Sequence, residues 1–140
     1  MNHRTSDDDR RFRREFEACS FSPGDFDHAA HVRLAYIYLC ESSVDAATDS
    51  MKRSLLAFLA HLGVDAAKYH ATITRAWIMA VHHFMAISAT CASTSEFMKL
   101  NPELLDSKIM LTHYSAELLF SPSARQDFVE PDIDPIPRHA

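Results

Sequence analysis

Histidine is the residue type in this chain best suited to chemistry. Nine occur among 140 residues, and two of them, His28 and His31, stand three apart in FDHAAHVRLA. In a helix that step leans both imidazoles toward one side. Their face continues through Ala35 and Leu39, so at least one ring is directed inward, and an inward imidazole needs a partner. The partner is either another polar side chain or a metal ion drawing on neutral ring nitrogens. His70, in KYHATITRAW, heads a face that runs through Thr74 and Trp77, and His113 precedes Tyr114 in LTHYSAELL. A helical bundle brings such faces together, and facing helices are the usual source of ligands in bundle cores. The spacing therefore nominates His28, His31 and His70 as metal ligands. Tyr114 and Thr74 become the polar walls of a catalytic pocket, and His113 a fourth ligand or an acid–base group.

No Glu-x-x-His occurs, and no acid lies between Asp65 and Glu96, so a carboxylate-bridged dinuclear site is disfavoured. Nitrogen-rich coordination suits a divalent transition metal, with iron, zinc, copper and nickel all compatible. The reading that follows is a small metal-dependent protein, an enzyme acting on a small-molecule substrate. The alternative is a non-enzymatic helical protein-binding or oligomerisation module whose histidines are satisfied by hydrogen bonds. Arg33, Arg75 and Arg125 are available to hold an anionic substrate, or equally to form salt bridges. GxSxG, a glycine-rich phosphate loop and HExxH are all absent, which removes the usual hydrolase, nucleotide and zincin signatures. The other histidines have plainer uses. His61 ends a helix, where a cation or donor meets free carbonyls, His82 and His83 point to adjacent helix sides, and His3 and His139 fall near the chain ends.

The elements that position these residues are helices. Only two glycines, Gly24 and Gly63, occur in the chain, too few for the tight turns of an all-β fold or the loops of an α/β fold. Hydrophobic residues make up 47% and charged residues 24%, an ordinary balance for one globular domain. The fold class predicted is all-α, a single-domain bundle of five to six helices. Residues 1–14 are expected to fray, 15–128 to form the helical domain, and 129–140 to be an extended proline-rich strap. Ser22 or Asp25 is expected to start one helix and Ser43 the next, with Gly63 just beyond its end and Asp65 starting the third. That third helix, about 66–89, is predicted to be the longest and to bury Trp77. A short helix begins at STSEF, another follows Pro102, and Ser121 caps a last one with Pro122 at its first position. Phe128, Val129 and Ile133 are the expected anchors of the strap.

Fourteen basic against nineteen acidic residues give a net charge of -5, which opposes binding to nucleic acid or to an anionic membrane surface. The longest apolar run is shorter than a membrane span and carries His82 and His83 at its centre. Three widely spaced cysteines and an N-terminus without an apolar segment fit a cytoplasmic protein. An apolar helix face left over in so small a chain would be buried against a second copy, so a homodimer belongs with the alternative reading.

Taken as a set, FDHAAHVRLAY, KYHATITRAW, HYSAELLFSPSAR and FVEPDIDPIP resemble a family of small helical bacterial proteins, over about residues 15–137. The shared pattern is FxHxxHVRxA, YHxTxTxxW and ARxxFVEPD. The resemblance implies no particular reaction. It singles out His28, His31, His70 and Tyr114, and it suggests an acidic residue where this chain has Ala71.

Overall fold

The structure, a computed structural model, describes residues 2–139. Seven α-helices account for most of it: α1 (Asp7–Glu17), α2 (His28–Glu41), α3 (Val44–His61), α4 (Ala71–Ile87), α5 (Thr94–Leu100), α6 (Ala116–Leu119) and α7 (Pro122–Gln126). Five of them have seven residues or more, and no strand is present among the described residues. The fold is all-α, as the scarcity of glycine implies. No helix of the described residues is long and apolar enough to cross a membrane.

Helices α2, α3 and α4 pack pairwise and form the centre, α1 lies on α2 and α3, and α7 lies on α4. Eight residues of α2 and nine of α4 are buried, which is the pattern of helices surrounded by others. Trp77 is buried in this core, as are Tyr36, Tyr38 and Phe97. Several ends follow the sequence signals. Ser43 Oγ accepts from the Ala46 N–H, and Ser121 Oγ from the Ala124 N–H with Pro122 at the first helical position. Gly63 follows the end of α3 with φ of 70°, the left-handed conformation that glycine enters without strain.

Four expectations are corrected. The helix expected to start at Ser22 or Asp25 is capped instead by Asp27, whose side chain accepts from the Ala30 N–H, while Ser22 precedes and Asp25 ends the 3-10 turn Pro23–Asp25 before it. The N-terminal segment does not fray, because Ser6 and Asp9 form a reciprocal capping box at the start of α1 and Asp9 also accepts from the Thr94 N–H at 3.0 Å and from Arg33 Nε at 3.0 Å. His3 is buried as well, donating from Nε2 to the Met85 carbonyl at 2.7 Å and accepting from the Cys91 N–H at Nδ1. The third long helix starts at Ala71 rather than near 66, since Asp65 caps only the 3-10 turn Ala66–Lys68; α3, at 18 residues, is longer than α4 at 17. After Pro102 the chain makes two 3-10 turns, Pro102–Leu105 and Ser107–Thr112, and the four-residue α6 instead of a continuous helix. Asp106 and Ser115 hydrogen-bond to backbone N–H groups of Lys108 and Leu118, and such local bonds compete with helix propagation.

The strap is extended and docked. Thr72 Oγ1 donates to the Asp127 carbonyl and accepts from the Val129 N–H, Tyr114 donates to the Val129 carbonyl, and the Ile133 N–H donates to the His113 carbonyl at 2.9 Å. At its end, His83 Nδ1 and His139 Nε2 lie 2.7 Å apart and share a hydrogen bond. Phe128 and Val129 pack against the core, but Ile133 is 58% exposed and Ile136 is the residue that buries. Truncation after Gln126 should therefore lower stability by at least about 3 kcal/mol, roughly 10 °C in melting temperature. Calorimetry of the truncated and full chains checks this, and equal melting temperatures would contradict the docking.

Candidate functional site

The three nominated histidines all lie around the starts of α2 and α4, but their nitrogens are put to different uses. His70 is the N-cap of α4. Its Nδ1 accepts from the Ile73 N–H at 3.1 Å, and its Nε2 donates to the Leu119 carbonyl at 2.8 Å, at the end of α6. Both ring nitrogens are consumed by a neutral tautomer. Burial lowers the His70 pKa, and the nearby Arg125 guanidinium adds to the effect against the Leu119 hydrogen bond. His28 uses Nε2 on the Leu104 carbonyl at 2.9 Å, and its ring stands edge-on to Trp77 at 4.5 Å between centroids.

His31 is the one of the three with a ring nitrogen both buried and unpartnered. Its Nε2 is sealed from solvent without a hydrogen-bond partner, and the ring lies 6.3 Å from Phe26. Burial, with repulsion from His28 second, pushes its pKa down to about 4. The expected metal set is thus not assembled: His70 has no free lone pair, His28 spends a nitrogen on Leu104, and among the described residues no three His, Cys, Asp or Glu side chains are grouped to hold an ion.

The nominated catalytic groups are likewise engaged in structure. Thr74 Oγ1 donates to the His70 carbonyl at 2.8 Å. Tyr114 is fully buried, with its hydroxyl donating to Val129 and its pKa pushed up to about 12 by burial. His113 donates from Nδ1 to the Asp134 carbonyl at 2.7 Å and so fastens the strap. Of these residues only Thr74 and His70 line a cleft.

Two clefts meet at Tyr69, which lines both. The first, about 590 Å³, lies between the 3-10 turn Ala66–Lys68 and the α6–α7 corner, with Phe120, Arg125 and Gln126 on its walls. The second, about 250 Å³, is floored by Phe26, Leu55, Phe58, Leu59 and Leu62, and edged by Lys68, His70 and Thr74. Burial keeps the Tyr69 hydroxyl protonated by raising its pKa, with Thr74 opposing and Asp49 reinforcing. Lys52 stands 5.8 Å above the Tyr69 ring.

The three arginines that sequence leaves equal are separated by their surroundings. Arg33 pairs with Asp9 at 3.0 Å and Arg75 with Asp45 at 2.7 Å. Arg125 has no carboxylate partner among the described residues and stands on the wall of the larger cleft. Tyr69, Phe120 and Lys68 are site residues that sequence reasoning did not select. The one available signal was Phe120, a large apolar residue set directly before the SPS turn, and it is 60% exposed.

His31 gives a direct test. Its depressed pKa means that the folded state binds fewer protons than the unfolded chain below the ordinary value of 6.5. Stability should be full above about pH 6.5 and fall as pH drops toward 4, by up to about 3 kcal/mol. His31→Leu should remove most of that slope and, by deleting a sealed unpartnered nitrogen, raise stability near neutral pH by about 1 kcal/mol. Urea unfolding at pH 7.5 and pH 5 measures both, and an unchanged pH slope in the variant would contradict the assignment.

Compared with family models, curated proteins and solved structures, the chain has no match.

Proposed function

We propose that this protein binds a small organic anion at the cleft between the Ala66–Lys68 turn and the α6–α7 corner. The observation that carries the reading is Arg125: of the three arginines suited to an anion, it is the one without a carboxylate, and it faces a cleft of about 590 Å³. A guanidinium presents a planar fork of donors that matches a carboxylate in two hydrogen bonds. Tyr69 and Phe120 beside it offer aromatic surface for a flat or apolar ligand body. The net charge of -5 makes the choice of residues more telling, because no Asp or Glu is among those lining either cleft.

Binding is better supported than catalysis. A general acid or base must have a proton or a lone pair to give, and His70, on the edge of the adjoining cleft, has neither to spare. The Tyr69 hydroxyl stays protonated and serves as a hydrogen-bond donor. A metal-dependent reaction on His28, His31 and His70 would require His70 to give up at least the Ile73 cap of α4 to free its lone pair, and the hydrogen bonds of His28 and His70 fit the structural alternative better.

Benzoate is a suitable probe, titrated into the protein while amide shifts are followed by NMR. Arg125→Gln should weaken its binding about tenfold or more, since charge-assisted hydrogen bonds of this kind are worth roughly 1.5–3 kcal/mol. Arg125→Lys should recover part of the loss, as it keeps the charge and loses the fork. Equal affinity in wild type and Arg125→Gln would overturn the reading.

A further inference from the structure

We propose that the two clefts hold one ligand, an amphipathic monocarboxylate whose head lies on Arg125 and whose hydrocarbon body crosses Tyr69 into the second cleft. The inference rests on the anion-binding reading and adds the class of ligand. Tyr69 lines both clefts, and His70, on the edge of the second, is close enough to the Arg125 guanidinium for that charge to disfavour its protonation. Head site and apolar floor are therefore neighbours on one face of the α4 start.

The second cleft has the chemistry of a hydrocarbon site. Its floor of Phe26, Leu55, Phe58, Leu59 and Leu62 is entirely apolar, and Leu62 is 40% exposed although large and aliphatic. The cation for the other end of the ligand is Arg125, in the first cleft; Lys68 lies at the rim of the second, and among the described residues no carboxylate lines either. One unpaired guanidinium balances a single negative charge. A phosphate monoester, at about -1.5 to -2 near neutral pH, would be left undercompensated at such a head site, so a carboxylate fits better. His70, its neutral form fixed by two hydrogen bonds, adds no second charge.

The test is calorimetric titration of straight-chain carboxylates from acetate to decanoate, with octanol and octyltrimethylammonium as controls, into wild type, Arg125→Gln and Leu59→Gln. Affinity for wild type should rise about threefold to fourfold per added methylene until the apolar cleft is filled, the gain expected for burying one CH₂. Leu59→Gln should flatten that rise while leaving the shortest acids unchanged, and Arg125→Gln should weaken every acid by a similar factor. If affinity is independent of chain length but still falls in Arg125→Gln, anion binding stands and the shared ligand is wrong. If Arg125→Gln has no effect on any acid, the anion reading itself fails. Octanol or octyltrimethylammonium binding as tightly as octanoate would overturn the carboxylate assignment. Should Leu59→Gln not fold, the chain-length series on wild type decides, with the Leu62 methyl shifts required to respond to the long acids and not to acetate.

Discussion

The two nitrogens of His70 are the constraint on which the candidate site depends. One accepts from the first turn of α4, and the other donates to Leu119 at the far end of α6. A helix start that lacks a side-chain acceptor leaves orphan N–H groups, and a buried carbonyl without a donor costs about as much. A single neutral imidazole settles both. Thr72, two residues on, repeats the arrangement by donating to Asp127 and accepting from Val129. The beginning of α4 thus holds the α6–α7 corner by side-chain hydrogen bonds. That corner carries Phe120 and Arg125, so the shape of the larger cleft is a consequence of how α4 is capped.

The same economy recurs at the other end of the bundle. Asp9 is nearly sealed. Burial pushes its pKa up, yet the backbone N–H groups of Thr94 and Ser6 and the Arg33 guanidinium bring it below the ordinary value. It caps α1, anchors the start of α5 and occupies Arg33 in one stroke. Buried groups of this kind hold short elements that cannot nucleate alone, since helices under about a dozen residues are marginal without packing. His3 and Tyr114 act likewise, each joining a non-helical segment to the core through a backbone carbonyl. The polar residues that look available for chemistry in this chain are, for the most part, the fasteners of its short segments.

That explains what the sequence made legible and what it did not. Helix ends with local signals were readable: Ser43, Gly63 and the Ser121–Pro122 pair follow rules written in adjacent residues. The all-α class and the docked strap were readable from composition and from proline. The ordered N-terminus was not, because Asp9 is tied down by Thr94, 85 residues away, and a charged run gives no sign of a distant partner. The start of α4 was missed for a related reason. Histidine is an uncommon cap, and its second hydrogen bond spans 49 residues. The residues nominated for a metal site were genuinely exceptional positions, but a one-turn spacing cannot distinguish a ligand from a fastener. Arg125 was visible only as one of three equals until the structure gave the other two their carboxylates.

Function then follows from what the fastening leaves over. With the imidazole at the cleft edge fully engaged, the groups free to meet a ligand are a guanidinium, a protonated phenol and aromatic and aliphatic surface. These suit recognition of an anion with an apolar body. The measurement closest to the centre of this account is the protonation state of the His70 ring nitrogens, read from two-bond ¹H–¹⁵N correlations across pH. An Nε2–H tautomer with unprotonated Nδ1 should persist below the ordinary histidine pKa of 6.5. A His70 ring that titrates at or above that value, or that carries its proton on Nδ1, would contradict it.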